Sequence, residues 1–457
     1  MNKQDEESDR FVARAARYAR VGASASSVAA RLAGARLLGA NDPAARAAAL
    51  AKALGSLKGP MMKVAQMMAT IPDLLPPEYA EELQKLQSEA PPMGATFARR
   101  RMQAELGPEW RSRFAAFDLH PAAAASLGQV HKASAQGGEK LACKLQYPDM
   151  ASAVEADLRQ LDLIFALHRR LKPVIDTTEM VKEIGDRVRE ELDYGREARH
   201  AALYQEMLGD TMDVRVPRVW SHLSTARLLT LDWLEGAKLL AFKNAPQSLR
   251  NRIATAMFKA WWVPLSRYGV IHGDPHLGNY TVFGGKDGND ACGINLLDYG
   301  CIRIFAAPFI GGVVDLYEGL LHHDFDRTFH AYESWGFRGL NRALAETLNI
   351  WARFIYAPML DDRVRSVADG VAPRLYGRRE AYTVHQALRK YGPVLVPREF
   401  VFMDRAALGL GGAFLHLDAR LNFYKLFHET MGAFSATALL GRQEAALTRA
   451  GLTRPHY

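Results

Sequence analysis

The sequence predicts an α+β protein with two lobes: a small lobe built on a sheet, a mostly helical second lobe, and a helical extension before both. Three observations indicate this fold class. The chain of 457 residues is too long for one ordinary core, and its 49% hydrophobic and 24% charged residues are a globular balance. Short strand-like runs cluster between residues 117 and 147, and helical patterns dominate on both sides of them.

The first predicted segment, residues 1–44, is basic and has helical spacing. Five arginines lie between Phe11 and Asn41 without an acidic residue among them. Docking on an anionic membrane surface and packing as a surface helix on the main domain both fit this pattern. Few bulky residues line the apolar face, which slightly favours packing.

A helical extension and the small lobe follow. Residues 45–110 form the extension, which ends in a helix from Phe97 to Leu106. Residues 111–240 form the small lobe, in which the strands GQVHKAS and KLACKLQY flank a Gly-Gly turn. A helix over residues 150–208 comes next, and VRVPRVW and RLLTLDWLEG predict two further strands.

The second lobe, residues 241–457, is predicted to be mostly helical. It begins with a helix from Gln247 to Tyr268 and continues with short strands around YTVF and INLLDYG. Everything after Ala306 has helical spacing. The order of elements therefore places one small β ribbon inside a helical lobe.

Composition limits the partners and the compartment. The net charge of +8 is modest for this length; it permits binding to nucleotide phosphates or anionic lipid, and we expect no nucleic-acid partner. Three cysteines without a CxxC pair favour a reducing cytosol. The polar start lacks a signal peptide pattern, and no apolar stretch is long enough to span a bilayer. We expect a cytoplasmic protein, with a peripheral position on the inner face of the cell membrane as a further expectation.

Two motifs of the second lobe carry residue types that phosphoryl transfer needs. In VIHGDPHLGN, Asp274 lies five residues before Asn279, and Asp298 follows nineteen residues later in LLDYG. A kinase catalytic loop spaces its Asp and Asn in this way, and a second Asp follows on the next ribbon. We therefore predict that Asp274 orients the attacking oxygen and that Asn279 and Asp298 hold Mg²⁺ beside ATP.

Simpler interpretations exist for each motif alone. An isolated Asp and Asn five residues apart most often form a turn, so the second, strand-flanked motif is what favours function. His272 and His276 have the i,i+4 spacing of a zinc pair. Pro275 argues against one regular helix there and no third ligand is evident, so we do not expect zinc.

Two features of the small lobe fit ATP binding. Lys144 lies in the strand run LACKLQYP, where a kinase uses one lysine to hold the α- and β-phosphates; an ordinary exposed strand lysine is the alternative. No GxGxxG is present, and an alanine-rich turn precedes the next strand instead. Alanine adopts positive φ less freely than glycine, so we expect a stiff nucleotide loop. Its residues are Ala123, Ala124, Ala125 and Ser126.

The helix VKEIGDRVREELDYGREARHAALY is crowded with acids. Asp193 and Glu197 are four residues apart and repel each other unless a cation lies between them. Arg187 and Arg189 each have an acid four residues further on, so a salt-bridged surface helix is one interpretation. The other is functional, because a strand lysine such as Lys144 needs an acidic partner on a following helix.

Together these motifs resemble the UbiB/AarF family of atypical kinases, whose eukaryotic members support coenzyme Q biosynthesis. AAAASLGQVHKA is similar to the alanine-rich loop of that family, LKGPMMKVAQMMA to its KxGQ helix, and EELDYGREA to its ExD element. IHGDPHLGN and LLDYG are similar to its catalytic loop and metal motif. The likeness runs from Ala51 to Cys301 and implies a protein-kinase-like fold with two lobes.

The resemblance implies roles for further residues. Lys63 and Gln66 belong to the KxGQ helix, which in this family lies across the active-site mouth; Ala65 stands where the motif has Gly. Glu191 and Asp193 are the ExD acids, with Lys63 and the metal as their partners. A solvent-facing Lys63 on an ordinary helix is the alternative.

The remaining implied roles concern the nucleotide. Glu197 pairs with Lys144, and the hinge that meets adenine comprises Trp233, Leu234 and Glu235. The implied activity is an ATPase that uses Mg-ATP and supports quinone-lipid biosynthesis at a membrane, with quinone-lipid intermediates and ubiquinone biosynthesis enzymes as partners. A small-molecule kinase and a non-enzymatic, nucleotide-dependent scaffold are the alternatives. No A-P-E element follows the metal motif, which argues against protein-kinase activity in trans.

Overall fold

The computed structural model of the protein describes residues 94–125, 127–156, 158–159, 185–284, 291–369, 384, 397–432 and 434–453. The basic N-terminal segment and most of the helical extension lie outside the described residues. The described chain forms two compact units. One comprises the residues up to Tyr194 together with His222–Thr230, and the other comprises Gly195–Ser221 and the residues from Leu231 onward.

The first unit is built on an antiparallel sheet, as the strand patterns predict. Helix α1 precedes three strands joined by short turns, and the strand order of the sheet is β1-β2-β3-β5. Strand β5 begins in the first unit and ends in the second. The boundary between the two units lies between Thr230 and Leu231. The elements are α1 (Ala95–Leu106), β1 (Ala116–Ala125), β2 (Gly128–Ser134), β3 (Lys140–Gln146) and β5 (Leu228–Asp232).

Alternation along β3 separates the core of this unit from its functional face. Leu141, Cys143 and Leu145 are fully buried, whereas Lys144 between them is only partly buried. Successive strand residues point to opposite faces, so the apolar residues anchor the strand while the lysine faces the other way. The predicted strand lysine therefore occupies a position that a rigid sheet holds.

The helix predicted over residues 150–208 is interrupted. Residues 185–190 are helical, residues 191–193 are not, and α2 (Tyr194–Leu208) begins immediately afterwards. The N–H groups of Leu192 and Asp193 donate to carbonyls three residues back, the pattern that closes a helix. Asp193 then precedes the first helical residue, a position where aspartate is favoured because it can accept from free N–H groups.

The strand predicted in VRVPRVW is shorter than its pattern indicates. Only β4 (Val214–Arg215) forms, and it pairs in parallel with β9 (Ala291–Leu296). Pro217 lacks the N–H that a longer ladder requires, which is a physical reason for the early end.

The second unit is mostly helical, as predicted for the described residues after Ala306. A small sheet of order β4-β9-β8-β6 and a separate pair, β10-β7, complete it. The strands are β6 (Ala237–Lys238), β7 (Val270–His272), β8 (Tyr280–Gly284) and β10 (Ile302–Ile304). The helices are α3 (Gln247–Tyr268), α4 (Ala307–Leu321), α5 (Phe325–Ser334), α6 (Arg342–Tyr356), α7 (Arg398–His416), α8 (Phe423–Met431) and α9 (Ala436–Arg449).

Helix α3 is the central support of this unit and leads directly into the candidate site. Gly269 ends it with a φ of +65°, and its N–H donates to the carbonyl of Leu265. A side chain at Gly269 would meet the Phe305 carbonyl oxygen at 2.9 Å. Both the positive φ and the lack of room for a side chain therefore require glycine at this position. The buried amide of Gln443 donates to the carbonyls of Tyr268 and Phe305, which secures this turn.

Candidate active site

The segments predicted to be the catalytic loop and the metal motif are joined through the two-stranded ribbon of the second unit. Strand β7 pairs antiparallel with β10, with His272 opposite Ile302. The loop leaves the end of β7, and the motif precedes β10, so the pairing brings both to one end of the ribbon. The Gly273 N–H donates to the Cys301 carbonyl at 2.7 Å and extends the pairing by one residue.

His272 bonds to the backbone of both motifs at once. Its Nδ1 lies 3.3 Å from the backbone nitrogen of Asp274, and its Nε2 lies 2.7 Å from the carbonyl oxygen of Asp298. Nδ1 therefore accepts and Nε2–H donates, which selects one neutral tautomer. The residue is 3% exposed, so the arrangement is rigid and dry. Sequence reasoning weighed His272 only as a zinc ligand and missed this role; its place at the end of a strand was the available signal.

Asn279 is held next to the same loop. Its side-chain nitrogen donates to the carbonyl of Asp274 at 2.9 Å, and its own carbonyl accepts from the Leu297 N–H at 3.0 Å. With the amide nitrogen engaged, the side-chain oxygen is the atom suited to a cation. Antiparallel pairing of Tyr280 with Leu296 brings Asn279 and Asp298 to the same end of the β8–β9 ribbon.

The metal motif turns sharply around a buried tyrosine. The carboxylate of Asp298 accepts from the Gly300 N–H at 3.0 Å, and Tyr299 is fully buried with its hydroxyl donating to the Leu296 carbonyl. The Tyr299 ring lies 5.6 Å from that of Tyr204 on α2. Burial raises the pKa of Tyr299 well above its usual range, so the ring packs as a neutral group. An aromatic residue fills this position, as its place in the motif predicts.

Helix α2 presents Glu197 to the same region of the second unit. Glu197 is 3% exposed, and His200, one turn later, contacts the Tyr299 carbonyl oxygen through Nδ1 at 3.1 Å. Burial is the largest cause of the raised pKa of Tyr299, and Tyr204 is the second. The negative charges of Asp298 and Glu197 raise it further, because both carboxylates lie near that ring. A carboxylate this buried requires a hydrogen-bonded or cationic partner, which is what its predicted role needs.

The donor set suits magnesium. Mg²⁺ takes one or two protein oxygens and completes its shell with water and substrate phosphates. The Asp298 carboxylate and the Asn279 amide oxygen supply such ligands. The described residues contain no cluster of three or more His, Cys, Asp or Glu side chains with the spacing of a metal site. Both ring nitrogens of His272 contact backbone atoms, which leaves neither for a metal.

Lys144 and the ExD segment lie close together in the first unit. The Lys144 ammonium lies 5.2 Å from the centre of the Tyr194 ring, and Gln146 on the same strand donates to the Leu192 carbonyl at 3.1 Å. Leu192 is the middle residue of ExD, so β3 directly supports Glu191 and Asp193. Arg187 forms an ion pair with Glu190, and Arg189 forms ion pairs with Glu155 and Asp186.

The alanines that were predicted to form a turn belong instead to the end of a strand. Ala123, Ala124 and Ala125 end strand β1 and pair with Val130, Gln129 and Gly128 of β2. Backbone pairing between the two strands therefore continues to Ala125. Ser126 lies outside the described residues.

Two buried side chains that bond to each other lie at the base of this hairpin. His131 is fully buried, its Nδ1 lies 2.8 Å from the Asp118 carbonyl oxygen, and its Nε2 lies 2.9 Å from the amide nitrogen of Gln129. Burial lowers the pKa of His131, so the ring remains neutral and joins the two strands. Sequence reasoning missed this pair, although GQVH is part of the quoted motif.

The predicted hinge is anchored from the second unit. The side-chain nitrogen of Asn295 donates to the carbonyl of Glu235 at 3.1 Å and to the Thr281 hydroxyl at 2.9 Å. Asn295 is fully buried on β9, between the hinge and the metal motif in this unit. Trp233 and Leu234 follow β5 directly and precede this anchor.

The predicted residues are thus divided between the two units. Asp274, Asn279, Asp298, Glu197 and the hinge belong to the second, and side-chain bonds of His272 and Asn279 link the first three. Lys144, the alanine hairpin and the ExD acids belong to the first, so the pairing of Lys144 with Glu197 stays a prediction. Lys63 and Gln66 lie outside the described residues.

Comparison with known proteins agrees with this arrangement. The model of the ABC1 atypical kinase-like domain matches residues 85–331. The AarF domain-containing protein kinase 1 of Xenopus laevis is 29% identical over 272 residues, 59% of this chain and 52% of that protein. The mitochondrial atypical kinase COQ8 of Saccharomyces cerevisiae is 28% identical over 255 residues, 56% of this chain and 50% of that protein.

A solved structure shares the fold. The complex of Rv3197 with erythromycin from Mycobacterium tuberculosis has a TM-score of 0.59 at 26% identity, covering 83% of this chain and 93% of that one. The matched region spans about half the length of the two curated relatives. The family model covers more than half of this chain, including the alanine hairpin, the ExD segment, the catalytic loop and the metal motif. The protein belongs to the ABC1 atypical kinase-like family, which includes the AarF and COQ8 proteins.

Proposed function

We propose that this protein binds Mg-ATP and hydrolyses ATP in support of quinone-lipid biosynthesis at a membrane. The observation that carries the proposal is the pair of His272 bonds to the backbone of Asp274 and Asp298. Phosphoryl transfer depends on positioning and electrostatics more than on covalent chemistry by the protein. A buried imidazole that sets the distance between the two motifs supports that requirement.

Each residue has a defined task in this proposal. Asp274 accepts a hydrogen bond from the attacking water and holds it in line, and Lys144 holds the α- and β-phosphates. Asn279 and Asp298 hold Mg²⁺, which when bound neutralises charge on the phosphates. The family membership supports ATP-dependent chemistry, and the resemblance to UbiB/AarF proteins supports the quinone-lipid and membrane link.

Two substitutions test the catalytic part in the purified full chain. Asp274→Asn should lower ATP turnover by about 10²-fold or more while ATP affinity is retained, because its task is orientation. Asp298→Asn should weaken nucleotide binding only when magnesium is present, measured by thermal shift with ATP. Asp210→Asn, an exposed aspartate of the second unit, is the matched control. Wild-type turnover in Asp274→Asn would overturn the catalytic assignment.

The biological part has a separate test. Mass spectrometry of quinone-lipid intermediates in cells lacking the protein should show an accumulated precursor, which the wild-type gene restores and Asp274→Asn does not. A phosphorylated small molecule that appears only with wild-type protein would favour the small-molecule kinase instead. Restoration by Asp274→Asn would favour the non-enzymatic scaffold.

A further inference from the structure

A cavity opens inside the helical part of the second unit, apart from the candidate active site. Its internal volume is about 80 Å³. This is several times the roughly 10–15 Å³ that one water molecule needs on the same measure. Side chains from α3, α4, α6, α7 and α8 line it, and none of the residues assigned to ATP or magnesium is among them.

The walls are unusually rich in aromatic rings. Four of the seven tryptophans of the chain line this one space. Neighbouring rings of the wall contact each other. The ring centres of Trp261 and Trp262 lie 4.9 Å apart in an edge-on arrangement, and those of Trp335 and Phe400 lie 5.2 Å apart and are tilted. Indole faces attract organic cations as well as apolar groups.

Asp404 on α7 is the one charged side chain among the residues that line the cavity. Its Oδ1 accepts from the Trp351 indole N–H at 2.6 Å, and no ion pair with a cation is found for it among the described residues. Burial raises the pKa of Asp404 to about 6, which still leaves the carboxylate mostly ionised at neutral pH. A charge in an apolar wall is costly unless it is paired.

The indole N–H groups of the wall differ in their hydrogen bonding. Trp335 donates its N–H to the Phe309 carbonyl and Trp351 donates to Asp404, but the indole nitrogen of Trp261 is buried with no acceptor among the described residues. Buried polar groups are nearly always satisfied, and exceptions tend to mark functional sites. The cavity therefore presents a carboxylate inside an aromatic enclosure.

We propose that this cavity binds a small apolar amine. The protonated nitrogen of the ligand pairs with the Asp404 carboxylate, and its aromatic or aliphatic body lies against the indole rings. An amine is favoured over an alcohol because only a cation compensates the carboxylate and also interacts with the ring faces. This site does not depend on the proposed ATPase function.

Three matched probes test the ligand class with the purified full chain: 4-phenylbutylamine, 4-phenylbutanol and 4-phenylbutyrate. They share one apolar body and differ in head group. Isothermal titration calorimetry, checked by tryptophan fluorescence, should show the amine binding about tenfold or more tighter than the alcohol, with the carboxylate weakest. Equal binding of amine and alcohol, tighter binding of the carboxylate, or no binding of the amine would overturn the proposal.

Substitutions then locate the site. Asp404→Asn keeps an acceptor for Trp351 and should remove the preference for the amine while the affinity for the alcohol stays unchanged. Ala407→Phe, one turn further on α7, should reduce binding of all three probes by filling the cavity. Asp326→Asn, an exposed aspartate on α5, is the matched control and should leave all affinities unchanged. An unaltered amine preference in Asp404→Asn would overturn the assignment even if Ala407→Phe failed to fold.

Discussion

One buried imidazole sets the spacing of the candidate active site at the scale of single residues. His272 contacts backbone atoms, so its effect on Asp274 and Asp298 does not depend on how those side chains turn. It is a positioning residue, because it contacts the backbone of the predicted catalytic loop and metal motif rather than a substrate.

Replacing His272 by alanine should impair both the positioning of the two motifs and the stability of the fold. The change leaves a buried N–H and a buried carbonyl without a partner, at a cost of about 1–3 kcal/mol each. We expect the magnesium concentration for half-maximal ATP turnover to rise by about tenfold, since the Asp298 backbone loses its anchor. Magnesium titration of turnover is the measurement.

Two further variants control this experiment. Gln at position 272 offers both a donor and an acceptor, so His272→Gln should recover part of the magnesium affinity. His330→Ala removes an exposed histidine of α5 and should change neither turnover nor magnesium dependence. An unchanged magnesium titration in His272→Ala would contradict the positioning role.

Asp404 should make stability depend on pH. Burial raises its pKa from 3.8 to about 6, so the folded protein holds the proton more tightly than the unfolded chain. Its stabilising contribution is complete below pH ~4 and is lost as pH rises through ~6, a change of about 3 kcal/mol. Asp404→Asn cannot ionise and should therefore melt at a higher temperature than wild type at pH 7.5.

The same comparison at low pH supplies the control. At pH 4 the wild-type carboxyl is protonated in the folded state, so the two melting temperatures should converge. Tyr356 is the other titratable side chain that lines the cavity, and burial raises its pKa further from this window. A melting difference that is constant from pH 4 to pH 7.5 would contradict the assignment.

At the scale of elements, the alanine hairpin depends on close contact between strands β2 and β3. A side chain at Gly128 would meet the Leu145 carbonyl oxygen at 2.4 Å and the Tyr194 hydroxyl at 2.9 Å. Tyr194 also lies beside Lys144, so the hairpin, the lysine strand and the start of α2 share one packing arrangement. Glycine is the residue that this approach permits.

Gly128→Ala should therefore destabilise the protein by about 1–3 kcal/mol through overpacking and weaken ATP binding, since the lysine strand must shift. Chemical denaturation and nucleotide thermal shift measure the two effects. Gly441→Ala on α9 has open space around the new methyl group and should be neutral or slightly stabilising, because alanine favours helix. If the Gly128→Ala variant is as stable as the wild type, the two strands can move apart to accommodate the methyl group, and the prediction is contradicted.

At the scale of the whole molecule, the prediction of membrane association depends on the basic N-terminal segment. Among the described residues, no helix combines the length and the apolar character needed to cross a bilayer. The arginines between Phe11 and Asn41 have no acidic neighbours, and each basic residue near an anionic surface contributes ~1 kcal/mol.

Deleting residues 1–40 should reduce co-sedimentation with liposomes that contain anionic lipid. High salt should have the same effect on the full chain, because screening weakens surface attraction. Liposomes of neutral lipid are the control and should bind both proteins weakly. Equal sedimentation of the truncated and full chains would instead support packing of this segment on the main domain.

Sequence patterns predicted most of the described fold. The strands of the first unit, helices α1 and α3 and the helices after Ala306 have strong local periodicity or clear start and stop signals, so they were predictable. The break at residues 191–193 was not, because helical spacing continues through it while Gln146 binds the Leu192 carbonyl from a distant strand. The short β4 was missed because the effect of Pro217 outweighed the β-branched residues around it.

For function, the sequence by itself determined the chemistry: which carboxylates, amide and lysine are present, and their order along the chain. Residue type and spacing carry that information because a catalytic loop is local. Only the tertiary structure decided how His272, His131 and Asn295 hold these motifs, and that helices far apart in sequence enclose Asp404 among tryptophans. Those contacts join residues separated by tens to hundreds of positions, and no local pattern specifies which distant side chains will meet.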